Sequence, residues 1–348
     1  MLLGFAITEH CNLRCPHCIR DDVTTVRNLE PSLLFDVVDD ARGLFSEVGV
    51  SMTGGEPTLH PAWEEIVSGL HDRGVTYRFV SNGWHMARLM PLIDRYPPAY
   101  VRLSLSGADQ PTHDDERGRD SFRRVLLAVA LLTSRRIPAQ LGLVVDRRDR
   151  HQLRQAADLA ESLGCVSIHF ALAQPVPGSA SRDSDLAPHE WYEVRDEIHA
   201  LQREPGRRTR IGLDYGAPAV GAELTCDTFA EQRVYVDARG RLSLCCQLSE
   251  YGFNERDVVA DLSHERFRDV WRRYQDALAL QQAVSLPRGE EDPLGAFPCL
   301  RCARALGKMD WTSAYPDSPW HVASASASRH LVPLSYSKPA GSATIPVS

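Results

Sequence analysis

Apolar and polar positions alternate between two rhythms over the first half of the chain. Short runs rich in Val, Leu and Ile, apolar on both faces, read as strands at Leu3–Thr8, Val48–Thr53, Thr76–Ser81, Tyr100–Ser106, Ala139–Val145 and Ser167–Ala173. Between them, residues 31–46, 62–73, 86–96, 121–135 and 150–163 repeat their apolar positions at helical spacing. Strands apolar on both faces belong in a parallel sheet covered by helices. Six successive βα units predict an α/β fold, a partial (β/α)6 barrel of parallel strands with two units fewer than the eight-unit barrel. Chemistry in such barrels sits at the C-terminal ends of the strands.

The rhythm stops at Pro175-Val176-Pro177-Gly178-Ser179, a natural exit loop. A helical pattern over 188–202 follows, then a Gly- and Arg-rich connection. Arg233–Val236 and Leu242–Leu244 flank the turn Asp237-Ala238-Arg239-Gly240 and read as a hairpin, with a helix over 265–282 behind it. The expected organisation is a barrel over 1–180 and a small C-terminal α+β domain over 181–312. Residues 313–348, rich in Ser, Ala and Pro, read as a flexible tail.

A chain of 348 residues, 43% hydrophobic, can bury a core of that size. No apolar run reaches the roughly 20 residues that span a membrane. The start, Met1–Thr8, lacks a basic segment and a cleavage site, so a cytoplasmic protein with no membrane partner is expected. The net charge is −7 with both signs interspersed, and no basic stripe carries interleaved aromatics, which excludes nucleic acid. Lys308 and Lys338 are the only lysines. A phosphate-loop lysine or a Schiff-base lysine therefore has no place in the barrel.

The cysteines change the picture. Nine in an intracellular chain do not suggest a disulfide framework, and all but Cys165 are clustered. Cys165, before an apolar strand, reads as a small buried residue. Cys11, Cys15 and Cys18 follow the first strand as C-x3-C-x2-C. Three thiolates on one short loop can hold three corners of a 4Fe–4S cube and leave the fourth iron open. A zinc site completed by His10 or His17 is the alternative. The second set, Cys226, Cys245, Cys299 and Cys302, is spaced C-x18-C-x53-C-x2-C. Four thiolates complete a cluster with no vacancy, or equally a structural zinc. Neighbours on a strand point to opposite faces, so only one of Cys245 and Cys246 should ligate. Gly240, in a G-x4-C relation to Cys245, favours Cys245.

Further motifs end the other strands: Gly54-Gly55-Glu56-Pro57, Ser81-Asn82-Gly83, Ser104-Leu105-Ser106-Gly107, and then Glu116-Arg117-Gly118. With the cysteine loop they resemble the radical S-adenosylmethionine superfamily over about Leu3–Ala173. The resemblance implies that the open iron binds the amino and carboxylate groups of S-adenosylmethionine. Gly54, Gly55 and Glu56 would contact the amino group, and Ser104 and Arg117 the carboxylate or ribose. Ser81, Asn82 and His17 join the cofactor-binding set. Many relatives carry Asp at Ser106, which is left out. Glycine allows close backbone approach, and carboxylate–ammonium and guanidinium–carboxylate pairs are natural partners.

The second cysteine set resembles the twitch domain, a shortened SPASM domain, as in 2-deoxy-scyllo-inosamine dehydrogenase. Together these likenesses imply two 4Fe–4S clusters, one catalytic and one auxiliary, and an external one-electron reductant such as flavodoxin or ferredoxin. The implied activity is cleavage of S-adenosylmethionine to a 5′-deoxyadenosyl radical that takes a substrate hydrogen atom. A second cluster suits oxidation or oxidative bond formation. Strand one begins almost at Met1 and leaves no room for a peptide-binding domain, so a small sugar, cyclitol or nucleoside is the expected substrate. The alternatives are a maturase of a ribosomally made peptide and a non-catalytic iron–sulfur or zinc protein.

Overall fold

The computed structural model describes residues 1–20, 26–177, 184–214, 216, 218, 226–251, 254–285 and 294–321. The strands are β1 (Leu2–Thr8), β2 (Gly49–Gly54), β3 (Thr76–Ser81), β4 (Tyr100–Leu105), β5 (Ala139–Val145), β6 (Ser167–Leu172), β7 (Arg210–Leu213), β8 (Arg233–Val236), β9 (Arg241–Ser243) and β10 (Val258–Asp261). The helices are α1 (Pro31–Leu44), α2 (Trp63–Asp72), α3 (Met86–Arg95), α4 (Gln110–Arg117), α5 (Ser121–Ser134), α6 (Leu153–Ser162), α7 (Pro188–Gln202), α8 (Cys246–Glu250), α9 (Phe267–Val284) and α10 (Pro298–Ala305).

All ten strands belong to one sheet, ordered β10-β9-β8-β1-β2-β3-β4-β5-β6-β7. Strands β8 and β1 to β7 run parallel, and β9 and β10 are antiparallel additions. β7 and β10 are the two edges, so the barrel is open. The six strands read from the sequence are all present. β7 lies in the stretch read as a connection, and it and β8 lengthen the parallel set. The hairpin is not a detached unit: Arg233 to Val236 pair with Leu2 to Phe5 of β1.

One face of the parallel sheet carries Leu3, Phe5, Ile7, Phe79, Val101, Leu103 and Leu105, all fully buried. Helices such as α5, through Val125, Ala128, Val129 and Leu132, cover that face. Strand alternation turns the other side chains inward. There, Ser104, Gly142, His169 and Gly212 stand in register across β4, β5, β6 and β7. The polar α4 has little apolar surface. It is held instead by Asp109, whose side chain accepts from Thr112 N at 2.9 Å and caps the helix.

At the C-terminal side, part of the expected tail packs on the fold. Asp310–Ala314 form a short 3-10 turn, and Trp320 is buried edge-on against Phe297 at 5.0 Å. Residues 322–348, and Gly178 and Ser179 of the exit loop, lie outside the described residues.

Candidate active site

The end of β1 delivers the first cysteine loop to the C-terminal edge of the sheet. Gly55 N donates to Thr8 O at 2.8 Å and Glu56 N to His10 O at 2.7 Å. A Cβ at Gly54 would overlap the Thr8 carbonyl, and one at Gly55 the His10 carbonyl. Gly54 also has φ +124°, which glycine adopts readily. The glycine pair therefore lets β2 lie against the root of the cysteine loop. The N–H groups of Gly55 and Glu56 are already used there. The carbonyls are the groups that suit an ammonium donor.

Within the loop, Cys18 N donates to Cys15 O at 3.0 Å, a turn that brings these two residues together. Cys11 and Cys18 are exposed and Cys15 is half-buried. Burial pushes the Cys11 thiol up and the Cys15 thiol to about 11. Among the described residues no three His, Cys, Asp or Glu side chains converge on a single-ion site. Three accessible thiols spread over one loop fit a multi-iron cluster better than one tetrahedral ion.

Glu56 is buried beside this loop. Its Oε1 accepts from Thr58 Oγ1 at 2.6 Å and Ser81 Oγ at 2.8 Å, and its Oε2 from Asn82 N at 2.7 Å. Burial raises its pKa against these bonds. Ser81 and Asn82 thus orient Glu56. Asn82 Nδ2 also donates to Asn12 Oδ1 at 2.9 Å, tying β3 to the cysteine loop.

The opposite flank of the loop is fixed by charge. The His17 ring nitrogen Nδ1 bonds Glu116 Oε1, which also accepts from His17 N at 3.2 Å. Arg148 pairs with both Glu116 and Asp146. Burial raises the Glu116 carboxyl, but the His17 and Arg148 bonds outweigh it and hold the pKa at about 2. Burial lowers the pKa of His17. Arg117 Nε donates to Ser106 Oγ at 2.7 Å, and its NH2 lies 3.4 Å from His17 Nε2. Ser104 is on the inner face, two residues before Ser106. A cavity of about 210 Å³ opens here, lined by His17, Ser106, Glu116, Asp146, Arg148 and Asp149 among others. Ser106, Glu116, Asp146 and Arg148 were not in the sequence-based set. Ser106 was set aside because relatives carry Asp there, Glu116 stood in a motif from which only Arg117 was taken, and Asp146 and Arg148 have no motif of their own.

The second cysteine set is gathered from distant segments. Cys226, Cys245, Cys299 and Cys302 line one cavity of about 490 Å³ with Phe229, Leu244, Leu248 and Leu278. Cys245 caps α8, its sulfur 3.5 Å from Leu248 N. Cys246 does not line the cavity and packs toward Ala6, Tyr235 and Ala238. Cys299 and Cys302 sit on α10, one turn apart. Burial raises the thiols of Cys245, Cys299 and Cys302. Four soft donors around one apolar cavity suit a fully ligated cluster.

Between the two cysteine sets lies a polar inner wall with no sequence motif. His169 Nδ1 is 3.0 Å from Asp214 Oδ1, and Arg102 NH1 donates to Asp214 Oδ2 at 2.9 Å. Burial would raise Asp214, but His169 and Arg102 lower it. Glycines make the room: a Cβ at Gly212 would lie 2.6 Å from the His169 ring, and one at Gly142 3.1 Å from Arg102 Cδ. His169 shares a register layer with Ser104. A Cβ at Gly216, two residues past Asp214, would lie 3.2 Å from Cys299 Sγ. The wall therefore extends from the Ser104 layer to the second cysteine set.

A cysteine loop after β1, a Gly-Gly-Glu turn after β2 and an open parallel barrel define an enzyme class. The Radical SAM superfamily profile matches residues 5–160. A probable GTP 3′,8-cyclase from Saccharolobus islandicus (strain M.14.25 / Kamchatka #1) is 30% identical over 300 residues, covering 80% of this chain and 94% of that protein. An AdoMet-dependent heme synthase from Methanosarcina barkeri is 26% identical over 214 residues, 58% of this chain; the chain spans 59% of that relative's length. Among solved structures, Streptococcus suis SuiB bound to precursor peptide SuiA aligns with a TM-score of 0.68 at 13% identity, covering 86% of this chain and 70% of that one. The chain belongs to the radical S-adenosylmethionine superfamily and is a radical SAM enzyme. A catalytic 4Fe–4S cluster and S-adenosylmethionine come with that membership, and the Cys11, Cys15 and Cys18 loop has the donors for the cluster.

Proposed function

We propose that this enzyme oxidises a small polar molecule by hydrogen-atom abstraction, and that Cys226, Cys245, Cys299 and Cys302 would hold an auxiliary 4Fe–4S cluster able to accept the substrate's remaining electron. The carrying observation is that Cys226, Cys245, Cys299 and Cys302, scattered in sequence, line one cavity whose edge adjoins the polar inner wall. When bound, the catalytic cluster and S-adenosylmethionine supply the 5′-deoxyadenosyl radical. The chain's residues do the rest. Cys11, Cys15 and Cys18 leave one iron open. Glu56 would meet the cofactor's ammonium, and Arg117 and Ser104 would reach its carboxylate or ribose. Arg148 and Glu116 keep the loop in place through His17.

His169, Asp214 and Arg102 form a wall for hydroxyl or amino groups. With Asp214 ionised, Nδ1 of His169 is the donor toward it. Nε2 then remains to hold a proton released from the substrate. A polar wall of this kind supports a sugar, cyclitol or nucleoside in place of an apolar side chain. The 30% identity to a protein named for a nucleotide supports the same choice. In this reading residues 181–312 act as the auxiliary-cluster domain of the twitch type, and an external flavodoxin or ferredoxin supplies the first electron.

The test is anaerobic turnover with S-adenosylmethionine and a panel of aminocyclitols, sugars, nucleotides and precursor peptides, read by mass spectrometry. The expected result is 5′-deoxyadenosine together with a small product two hydrogen atoms lighter. Turnover of precursor peptides alone would replace the small-molecule reading with the maturase reading.

A further inference from the structure

The surface beside the first cysteine loop carries charge of the wrong sign for this chain. The protein has a net charge of −7, and many of its arginines lie against carboxylates. Arg150 pairs with Glu190 and Glu193, Arg207 with Asp158 and Glu204, and Arg273 with Glu265. Arg14, Arg88 and Arg124 are exposed, and none has an ion pair with a described residue. Asp120, just before α5, is taken by Arg119 at 3.9 Å.

Contacts described above fix where these cations sit. Asn12 lies between Cys11 and Cys15 and is held by Asn82 of the β3 turn at 2.9 Å. Two residues further on, Trp84 is half-buried, with the Arg124 guanidinium 5.2 Å from its ring centroid. Gly83 permits the approach of α5: a Cβ there would lie 3.4 Å from Val125 Cα. His85 comes next, and Arg88 N donates to its carbonyl at 3.1 Å; burial, then Arg88 and Arg124, lower its pKa. Arg14 belongs to the cysteine loop itself. An aromatic ring and three cations without an ion pair among the described residues thus lie on or beside the loop that carries Cys11, Cys15 and Cys18.

We propose that Arg14, Trp84, Arg88 and Arg124 form the docking surface for an acidic one-electron carrier protein that reduces the cluster held by Cys11, Cys15 and Cys18. The inference rests on the radical chemistry of the preceding section only for its need of a reductant. In the step served, the reduced flavin of the carrier loses one electron and becomes its semiquinone. A cluster held by Cys11, Cys15 and Cys18 would accept that electron, and no atom is transferred. Opposite charge speeds encounter and orients the carrier. Trp and Arg are common anchors of protein interfaces. Salt screens such a surface over about 8–10 Å at physiological ionic strength.

The experiment uses the full chain with reconstituted clusters and a bacterial flavodoxin as probe. Calorimetry of oxidised flavodoxin binding to the Arg88→Glu/Arg124→Glu variant is expected to show affinity lower by about tenfold or more and a flatter salt dependence, on the scale of electrostatic steering. Flavodoxin-driven formation of 5′-deoxyadenosine should fall at low carrier concentration, while dithionite-driven formation stays at the wild-type rate. Arg208→Glu/Arg272→Glu, the same charge change elsewhere, should leave both unchanged. Wild-type affinity in the first variant, equal weakening in the second, or loss of the dithionite reaction in the first would each overturn the proposal. An inactive wild type with dithionite would instead strike at the enzyme reading itself.

Discussion

The two cysteine sets solve the same ligation problem in opposite ways. Cys11, Cys15 and Cys18 lie on eight consecutive residues, two of them exposed. Cys226, Cys245, Cys299 and Cys302 span 77 residues and meet only because a hairpin, α8 and α10 fold onto one another. The local set needs little of the fold to come together, and its loop is steered by bonds to Glu56 and Glu116. The dispersed set is inseparable from tertiary structure. A site that must admit a cofactor is built on an accessible loop. One that, on the proposed reading, would only pass electrons can be closed and apolar.

The largest break in the comparison should come from the local set. Cys15→Ala is expected to lose the cluster it shares with Cys11 and Cys18, so that iron falls from about eight to about four per chain and 5′-deoxyadenosine is no longer formed. Iron analysis and chromatography check this, and the fold, read by circular dichroism, should persist. Full iron retention would separate Cys15 from the cluster.

The dispersed set should fail differently. Cys299→Ala/Cys302→Ala should lower thermal stability if the proposed auxiliary cluster is held there, since metal binding is coupled to folding. In the fraction that remains folded, cleavage of S-adenosylmethionine should continue while oxidised product is lost. Wild-type product yield from a folded variant would leave the second site as a structural staple.

A smaller effect probes the brace of that site. Lys308 is fully buried, with Nζ 2.8 Å from Asp257 Oδ1 and 2.7 Å from Asn254 O. Asp257 O accepts from Leu244 N, next to Cys245, and Lys308 N bonds Ala303 O of the cysteine helix. Lys308→Met strands a buried carboxylate and is expected to cost about 3 kcal/mol or more in denaturant unfolding. A cost near zero would show that the hairpin and α10 hold together without the ion pair.

Glu116→Gln tests the brace of the local set. Removing one partner of buried charged bonds should cost about 1–3 kcal/mol. The Glu116 pKa, near 2 in the folded protein, lies below its ordinary 4.5. A depressed carboxyl pKa contributes stability above the unfolded value and loses it only as pH falls through the folded one. The difference between variant and wild type should therefore be flat from about pH 6 to 9 in thermal melts. A slope in that range would assign the titration to another group. The smallest effect is expected from Cys246→Ala, under about 1 kcal/mol with iron unchanged, because Cys246 lies off the cavity.

Legibility in the sequence follows the same division. β1 to β6 were readable because their apolar runs are long and rich in branched residues. β7 was not, because Arg210-Ile211-Gly212-Leu213 is short and its glycine serves the His169 ring next door. α4 escaped because Gln110–Arg117 has almost no apolar periodicity and is held by its Asp109 cap and by contacts of Glu116 and Arg117. The cysteine loop and the Gly-Gly-Glu turn announce themselves by spacing. The inner wall of Arg102, His169 and Asp214 does not, since its members lie 112 residues apart at the extremes and meet only through the fold of the sheet.

The pairing of β1 has a consequence for synthesis. Its partner on one side, β2, leaves the ribosome early, but its partner on the other, β8, begins only at Arg233. At about 5–20 residues per second, the first strand waits tens of seconds or less with one edge bare. During that interval the nascent chain already carries Cys11, Cys15 and Cys18 without the hairpin that closes the sheet beside them. A chain released before Arg233 would keep a bare strand edge, a template for pairing with other chains. Truncation in this protein is therefore expected to produce aggregates in preference to a trimmed but functional barrel.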